Sequence, residues 1–424
     1  MSIKIPKVAT RQHIGFIGTT GSGKTQGMMQ IFEAFFHSKK IIIDVKGDYT
    51  STQKKEDDLI FCPLDERTIK WNIFNDIETY QDIANIALSL IPENPKMSDQ
   101  YFDRAARSVL EGVLIGLSKM PKPNNKMVWE TITSPQGIID IMKADEEAKQ
   151  KMEAHIDDGL DKQTRGIIGT ILANAGGALE ALANMDGDFS FKKWTQDDIN
   201  KQSIFLLGEE RILDSMLPLY RLVVEIVAGE LLSMPDDENR ELFFWLDELP
   251  RLKKLQKVID LMTLARSKGG KVVYSVQTLK QLEEQYKREG MFTILDTTNT
   301  KFIYRTSDAQ DLEKILGQQE VKEYSENYSY GPHDMRDGMG HSKPKKIKYV
   351  VLAAEIQDLK PLEFYVKSIA PYITKARLEY IGRDPKYPKF IPNIRKIKKA
   401  GDFHKNLVKL TPADGEKIDF EEFL

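Results

Sequence analysis

Short apolar runs alternate with helical spacing at the start of the chain. His13 to Ile17 predicts a strand, Lys24 to His37 a helix, and Lys40 to Val45 a second strand. Leu59 to Cys62 predicts a third strand. Strands that alternate with helices predict a parallel sheet with crossover helices. From about Asp76 to Asn184 the pattern changes. Apolar residues recur at helical spacing and β-branched runs almost vanish, most clearly over Tyr80 to Leu90, Ser98 to Met120 and Lys162 to Met185. Strand signals resume at Ser203 to Leu207, Leu242 to Leu246, Lys271 to Val276 and Lys301 to Tyr304. The helical block therefore reads as an insertion: residues 1–75 and 185–382 build one α/β domain, 76–184 an all-α domain, and 383–424 a C-terminal extension. Tyr324 to Lys346 has no periodicity and predicts a mobile loop before a short strand at Lys348 to Leu352. The Pro- and Lys-rich residues from about Arg383 predict loose packing.

Composition narrows the picture. The 424 residues are 41% hydrophobic with a formal net charge of -3, so any surface for nucleic acid must be local rather than global. The single cysteine, Cys62, excludes an internal disulfide and a thiolate metal cluster, which fits a reducing cytoplasm. The most apolar helical stretch, Leu213 to Met234, is interrupted by Arg221, Glu225 and Glu230; Ala105 to Met120 is short and carries Arg107 and Glu111. A bilayer span needs about 20 nearly uninterrupted apolar residues, so both are expected to be core helices. Trp129 is likewise expected in the core.

The candidate chemistry begins with Gly18-Thr19-Thr20-Gly21-Ser22-Gly23-Lys24-Thr25, which fits the phosphate-binding loop of nucleotide hydrolases. Its glycines let backbone N–H groups face a β-phosphate, and the helix that follows adds its positive end. Lys24 is expected to reach the β- and γ-phosphates, and the Thr25 hydroxyl to bind Mg²⁺. A strand precedes the motif and a helix follows it, as it requires. Leu242-Phe243-Phe244-Trp245-Leu246-Asp247-Glu248 ends a buried strand in paired acids. Asp247 is expected to hold the Mg²⁺ shell and Glu248 to act as general base on the attacking water. Gln277 ends the next strand and can contact the γ-phosphate or its water; a plain polar strand end is the alternative. Arg266, expected on the helix between those strands, can complete a neighbouring subunit's site as an arginine finger, or be an ordinary solvated arginine.

These residues, in this order and around an all-helical insertion, resemble the type IV coupling proteins of bacterial conjugation, the TrwB/TraD group of RecA-like hexameric motors related to FtsK and HerA. Asp44-Val45-Lys46-Gly47-Asp48 resembles the family's second-strand motif. Cys62-Pro63-Leu64-Asp65-Glu66-Arg67 and Trp71-Asn72-Ile73-Phe74-Asn75 resemble its passage into the all-α domain, and Asp186-Gly187-Asp188-Phe189-Ser190-Phe191-Lys192-Lys193-Trp194 resembles the return. Asp247-Glu248-Leu249, Gln277, and Ala354-Glu355-Ile356 with Leu359 follow in family order, Thr278 standing where the family has Ser or Thr. The likeness covers roughly residues 5 to 375.

The resemblance implies a RecA-like domain and an ATPase with ATP and Mg²⁺ at the interfaces of a homo-hexamer, or a monomer where no membrane anchor holds the ring. It implies a motor that recruits a relaxase–DNA complex through relaxosome accessory proteins and drives DNA, independent of sequence, into a type IV secretion channel. The expected location is the cytoplasmic face of the bacterial membrane. Family members usually begin with two transmembrane helices, whereas this chain starts seventeen residues before Gly18, so the anchor is expected to be trimmed or naturally absent. Delivery of protein effectors, and a nucleotide-gated scaffold without sustained hydrolysis, are the competing expectations. Basic candidates for gripping DNA are Arg251, Lys253, Lys254 and Lys257 after the acid pair, and Lys343, Lys345, Lys346 and Lys348; a solvated charged face is the alternative for either set. The terminal stretch Glu416 to Leu424, acidic and aromatic, follows basic Arg395 to Lys399 and is expected either to fold back on the motor or to dock a partner.

Overall fold

A computed structural model of the chain describes residues 12–93, 100–157, 161–255, 257–322, 325–329, 338–342, 345–370 and 372–393. The basic stretch from Arg395, the acidic terminus 416–424 and Lys343 lie outside these residues. In chain order, β1 (Ile14–Ile17), α1 (Lys24–Ala34), β2 (Lys39–Asp44), α2 (Asp48–Gln53) and β3 (Leu59–Phe61) open the fold. Helices α3 (Tyr80–Leu90), α4 (Tyr101–Ser118), α5 (Asn125–Thr133), α6 (Pro135–Ala144), α7 (Glu146–Met152), α8 (Lys162–Ala183) and α9 (Phe191–Gln196) follow. Then come β4 (Ile204–Leu207), α10 (Glu210–Ser233), β5 (Leu242–Leu246), α11 (Val258–Leu264), β6 (Gly270–Val276), α12 (Leu279–Thr297), β7 (Thr300–Ile303) and α13 (Ala309–Leu316). The last elements are β8 (Gln318–Lys322), β9 (Ser325–Ser329), β10 (Gly338–Ser342), β11 (Lys345–Tyr349), α14 (Ala353–Gln357), β12 (Glu363–Lys367) and β13 (Thr374–Arg377).

Nine strands form one sheet in the order β13-β12-β7-β1-β6-β5-β2-β4-β3. The strands from β7 to β3 run parallel, while β12 and β13 are antiparallel additions at one edge. The parallel strands are buried on both faces, which is why they read as continuous apolar runs rather than alternating ones. Alternate residues still part to opposite faces. Leu242, Phe244 and Leu246 join the core shared with the helical block, whereas Phe243 and Trp245 join a second core with Phe32 of α1 and Tyr49 of α2. Phe32 and Trp245 meet edge to face at 5.1 Å. The seven parallel strands agree with the sequence expectations to within a residue at each end.

The helical block lies between β3 and β4 in the chain and is anchored where the chain leaves and returns. The buried carboxylate of Asp76 accepts from Trp71 Nε1 at 2.7 Å and Ser190 Oγ at 2.5 Å. It also accepts from the backbone N–H groups of Phe191 at 3.1 Å and Lys192 at 2.9 Å, so it caps α9 as well. Asn75 Nδ2 donates to the carbonyls of Gly187 and Phe189, and Asn125 Nδ2 to those of Trp71 and Met185. Among the described residues α8 is the one helix long and apolar enough to cross a bilayer. It packs against α4, α5 and α10, and 56% of its apolar stretch is buried inside the protein. Trp129 packs against the same core.

Two expectations are corrected. The stretch 324–346 is not simply a loop: β9 pairs with β10 and β8 with β11, making two short antiparallel ribbons, and the strand expected at 348–352 sits at Lys345–Tyr349. Along β11 nearly every residue is exposed on both faces, so no apolar alternation marks the strand. The second correction concerns residues 383–393, which are pinned rather than loose. Arg67 Nη1 donates to the Pro388 carbonyl at 2.9 Å, Ile391 N to Asp65 Oδ2 at 2.9 Å, and Lys386 N to the Ser51 carbonyl at 2.7 Å. Backbone hydrogen bonds of this kind leave no apolar signature.

Replacing Asp76 by Ala strands four donors in a dry site and is expected to lower stability by about 3–5 kcal/mol, read from urea unfolding. A loss under about 1 kcal/mol would show that the two crossings do not depend on this carboxylate.

Candidate functional site

The C-terminal ends of β1, β6, β5 and β2 share one edge of the sheet, and the loops leaving them converge. Parallel strands bring their following residues together there, which is where such folds place ligands. Gly23 ends the loop after β1 with φ 108°, a left-handed conformation suited to glycine, and an added Cβ would lie 2.8 Å from Leu362. The α1 N-terminus then starts at Lys24. Thr19 N bonds the Arg305 carbonyl at 2.8 Å and Ser22 Oγ the Thr19 carbonyl at 2.7 Å, holding the loop's curl.

Lys24 is only 8% exposed. Its ammonium donates to the carbonyls of Gly18 at 2.5 Å and Thr19 at 3.1 Å, inside its own loop. Burial holds its pKa below the ordinary lysine value, partly offset by the charges of Asp247 and Glu248. Asp247 follows β5, and burial raises its pKa despite a 2.6 Å hydrogen bond from Ser275 Oγ. Glu248 takes a left-handed backbone (φ 57°, ψ 56°), uncommon for a residue with a Cβ, and its N–H donates to the same Ser275 Oγ at 3.0 Å. The Gln277 amide joins the two halves of the site. It accepts from Thr20 Oγ1 at 3.1 Å and donates to Glu248 Oε1 at 2.6 Å.

A cleft of about 390 Å³ opens on this edge, a size suited to a small ligand. Thr19, Thr20, Gly21, Gly23, Lys24 and Thr25 line it with Asp247 and Glu248, while Gly18 and Ser22 stand behind the loop. Gln277 borders a neighbouring recess with Glu248 and Arg251. Among the described residues no three His, Cys, Asp or Glu side chains cluster as a metal cage. A magnesium ion beside Thr25 and Asp247 would complete its shell with water and phosphate oxygens, its usual habit at nucleotide sites. The donor set is suited to that ion.

The family described as "Type IV secretion-system coupling protein DNA-binding domain" matches residues 1–379. The chain belongs to this family. Coupling protein TraD of Escherichia coli (strain K12) is 26% identical over 388 residues, 88% of this chain and 53% of that protein. Protein VirD4 of Rhizobium radiobacter is 24% identical over 390 residues, 82% of this chain and 55% of its own length. The chain thus spans about half the length of these relatives. Among solved structures, the unbound conjugative coupling protein TrwBdeltaN70 superposes with a TM-score of 0.76 at 24% identity, covering 91% of this chain and 89% of the other. TrwB in complex with ADP and Mg2+ gives 0.75 at 23%, covering 91% and 89%. The RecA-like P-loop fold with a parallel-rich sheet is therefore shared.

In this coupling-protein domain the arginine expectations change. Arg266 lies not on α11 but in the exposed turn between it and β6, at the strand's N-terminal end. Its charge is felt by His13, just before β1, so it stands on the edge opposite the cleft, about 20 Å of strand away. Within one chain it does not join the site. Two of the basic residues after the acid pair are engaged by acids. Arg251 lines the cleft, pairs with Glu210 and stands 3.7 Å from Glu248 Oε2. Lys254 pairs with Glu93 at 3.6 Å, and the Lys257 backbone N–H donates to Glu225 on α10. Sequence reasoning thus assigned Arg251 to DNA and not to the cleft it lines, and gave no site role to Asp44, Ser275 or Tyr380.

Asp44 had a legible signal, since the apolar run Ile41 to Ile43 ends in an acid, as β5 does. Ile43 pairs with Leu246, so the next residues on the two strands are Asp44 and Asp247. Asp44 accepts from Thr50 N at 2.6 Å, yet burial pushes its pKa from 3.8 up to about 6. The folded protein holds this proton more tightly than the unfolded chain. Its contribution to stability is therefore complete below about pH 4 and lost as pH rises through about 6, by about 3 kcal/mol for a shift of this size. Asp44→Asn should remove that share of the decline when urea unfolding is compared across pH 4 to pH 7 (about the titration window). Identical pH slopes in the two proteins would contradict the assignment.

Proposed function

We propose that the chain is the ATP-hydrolysing motor domain of a coupling protein that recruits a relaxase–DNA substrate and drives DNA into a type IV secretion channel. The observation that carries the reading is the relay at the strand ends: loop Thr20, sensor Gln277 and acid Glu248 hydrogen-bonded in series beside the buried Lys24. TrwB is described in complex with ADP and Mg2+, and with ATP and GTP analogues, which supports nucleotide binding on this fold.

The loop N–H groups of residues 18–25 and the α1 N-terminus would hold the β-phosphate, and Lys24 would leave the Gly18 and Thr19 carbonyls to bridge the β- and γ-phosphates. Thr25 and Asp247 would hold Mg²⁺, which when bound neutralises phosphate charge. Glu248 would accept the proton of the attacking water. Gln277 orients that carboxylate from one side and reports to the loop through Thr20; Arg251, paired with Glu210, places its charge 3.7 Å from the other oxygen. Since Arg266 faces away from its own cleft, its catalytic use in this reading is at a neighbouring subunit's site in a homo-hexameric ring; a solvated arginine is the alternative. Residues 76–184 form the cargo-facing domain in this reading. The exposed lysines of β11 are the remaining basic candidates for a sequence-independent hold on the DNA backbone, at the cytoplasmic face of the membrane.

Hydrolysis measured at high protein concentration is expected to rise with DNA of any sequence and to lose that stimulation as salt increases. Glu248→Gln should keep nucleotide binding and lower turnover by about 10²–10⁴-fold. Unchanged turnover in that variant would remove Glu248 as the base. Hydrolysis indifferent to DNA at low salt would favour delivery of protein cargo.

A further inference from the structure

The cleft has a second wall that the phosphate chemistry does not use. Phosphate-binding elements and carboxylates lie on the β1–β6–β5–β2 side. On the other side, Pro361, Leu362 and Tyr380 line the same cleft. They come from the segments flanking β12 and β13, far along the chain from the loop they face. Leu362 N donates to the Ser22 carbonyl at 2.9 Å, and Leu378 N to the Leu362 carbonyl at 3.0 Å, so this wall is tied directly to the loop.

Beyond β13 the chain runs as an extended strap along α1. Gln26, Gln30 and Glu33 stand at i, i+4 and i+7, on one face of that helix. Each engages the strap. Gln26 Oε1 accepts from Arg383 Nη1 at 2.9 Å, Gln30 Nε2 donates to the Glu379 carbonyl at 3.0 Å, and Glu33 Oε1 accepts from Arg383 Nε at 2.6 Å. The strap is thereby fixed next to the first turn of α1, with Tyr380 at the lip of the cleft. Tyr380 is 72% exposed despite lining a cavity, an arrangement in which a large ring lacks a partner on one face.

We propose that this wall is the base-binding half of the nucleotide site: a purine ring lies against Tyr380, Pro361 and Leu362 while the polyphosphate enters the loop. The inference rests on the reading of the cleft as a nucleotide site and adds the residues that hold the base. Stacking on an aromatic face with aliphatic neighbours recognises a ring and not its edge. The Gln26 carbonyl oxygen and the Gln30 amide on α1 are taken up by the strap. Adenine and guanine nucleotides should therefore bind within about threefold of each other, stacking being indifferent to base identity.

Calorimetric titration of the full chain with ADP, a non-hydrolysable ATP analogue and inorganic tripolyphosphate separates the two halves of the site. Tyr380→Ala should weaken both nucleotides by about 5- to 20-fold and leave tripolyphosphate binding unchanged, whereas Tyr380→Phe should retain wild-type affinity for all. The exposed ring makes thermal unfolding of the Ala variant a fair control for folding. Unchanged nucleotide affinity in Tyr380→Ala, or an equal loss for tripolyphosphate, would overturn the base wall. A wild-type chain that binds tripolyphosphate but not nucleotides would overturn it while sparing the phosphate loop; one that binds none of the three would overturn the nucleotide site itself.

Discussion

The ammonium of Lys24 is buried against two carbonyls of its own loop, and the arrangement of the sheet edge follows from that placement. A buried cation is tolerated only where charge or dipoles compensate it. Here the compensation comes from the Gly18 and Thr19 carbonyls and, further off, from Asp247 and Glu248. Those acids can stand near the lysine because β1, β6 and β5 are parallel neighbours whose ends fall in register. Asp44 on β2 extends the same row but is held in reserve, its pKa raised by burial. The cleft thus pairs a desolvated cation with the desolvated acids Asp44 and Asp247, a balance that a polyphosphate with a divalent cation would shift on binding.

Distant segments of the chain close the site. The sheet brings the loop of residues 18–25, the β5 acids and the β6 glutamine together, while the strap after β13 crosses α1 and supplies the outer wall. The helical block is joined to this frame by a small set of buried polar contacts around Asp76, Asn75 and Asn125, rather than by apolar packing alone. Buried carboxylates with every oxygen engaged are stiff, so these crossings hold the helical block rigidly against the sheet. The fold therefore offers one body in which events at the strand ends are linked to the helical block and to the strap.

What could be read in advance follows from range. The phosphate loop and the β5 acids are local patterns, in which a continuous apolar run fixes a buried parallel strand and the next residues must emerge at its end. The strands were legible for the same reason. Arg251 was not, because a basic residue three positions after Glu248 looks the same whether it faces solvent or folds back onto that glutamate. Arg266 is expected from sequence on the helix between β5 and β6, and only the sheet shows that it faces the opposite edge. The ribbons at β8–β11 are held by backbone pairing, and the strap at 378–393 by hydrogen bonds with scattered apolar anchors such as Leu378 and Phe390, so no periodicity announced them. Tyr380 meets the cleft only through the whole fold.

The most direct measurement is nucleotide binding to Lys24→Ala, by calorimetry, alongside its thermal unfolding. Removing a buried cation whose partners are carbonyls of its own loop should leave the fold intact. Affinity for an ATP analogue should fall by at least about 100-fold, because charge-assisted contacts to two phosphates are lost. Wild-type affinity in a folded Lys24→Ala protein would contradict the account, since the cleft would then hold its ligand without the charge on which the rest of the site is arranged.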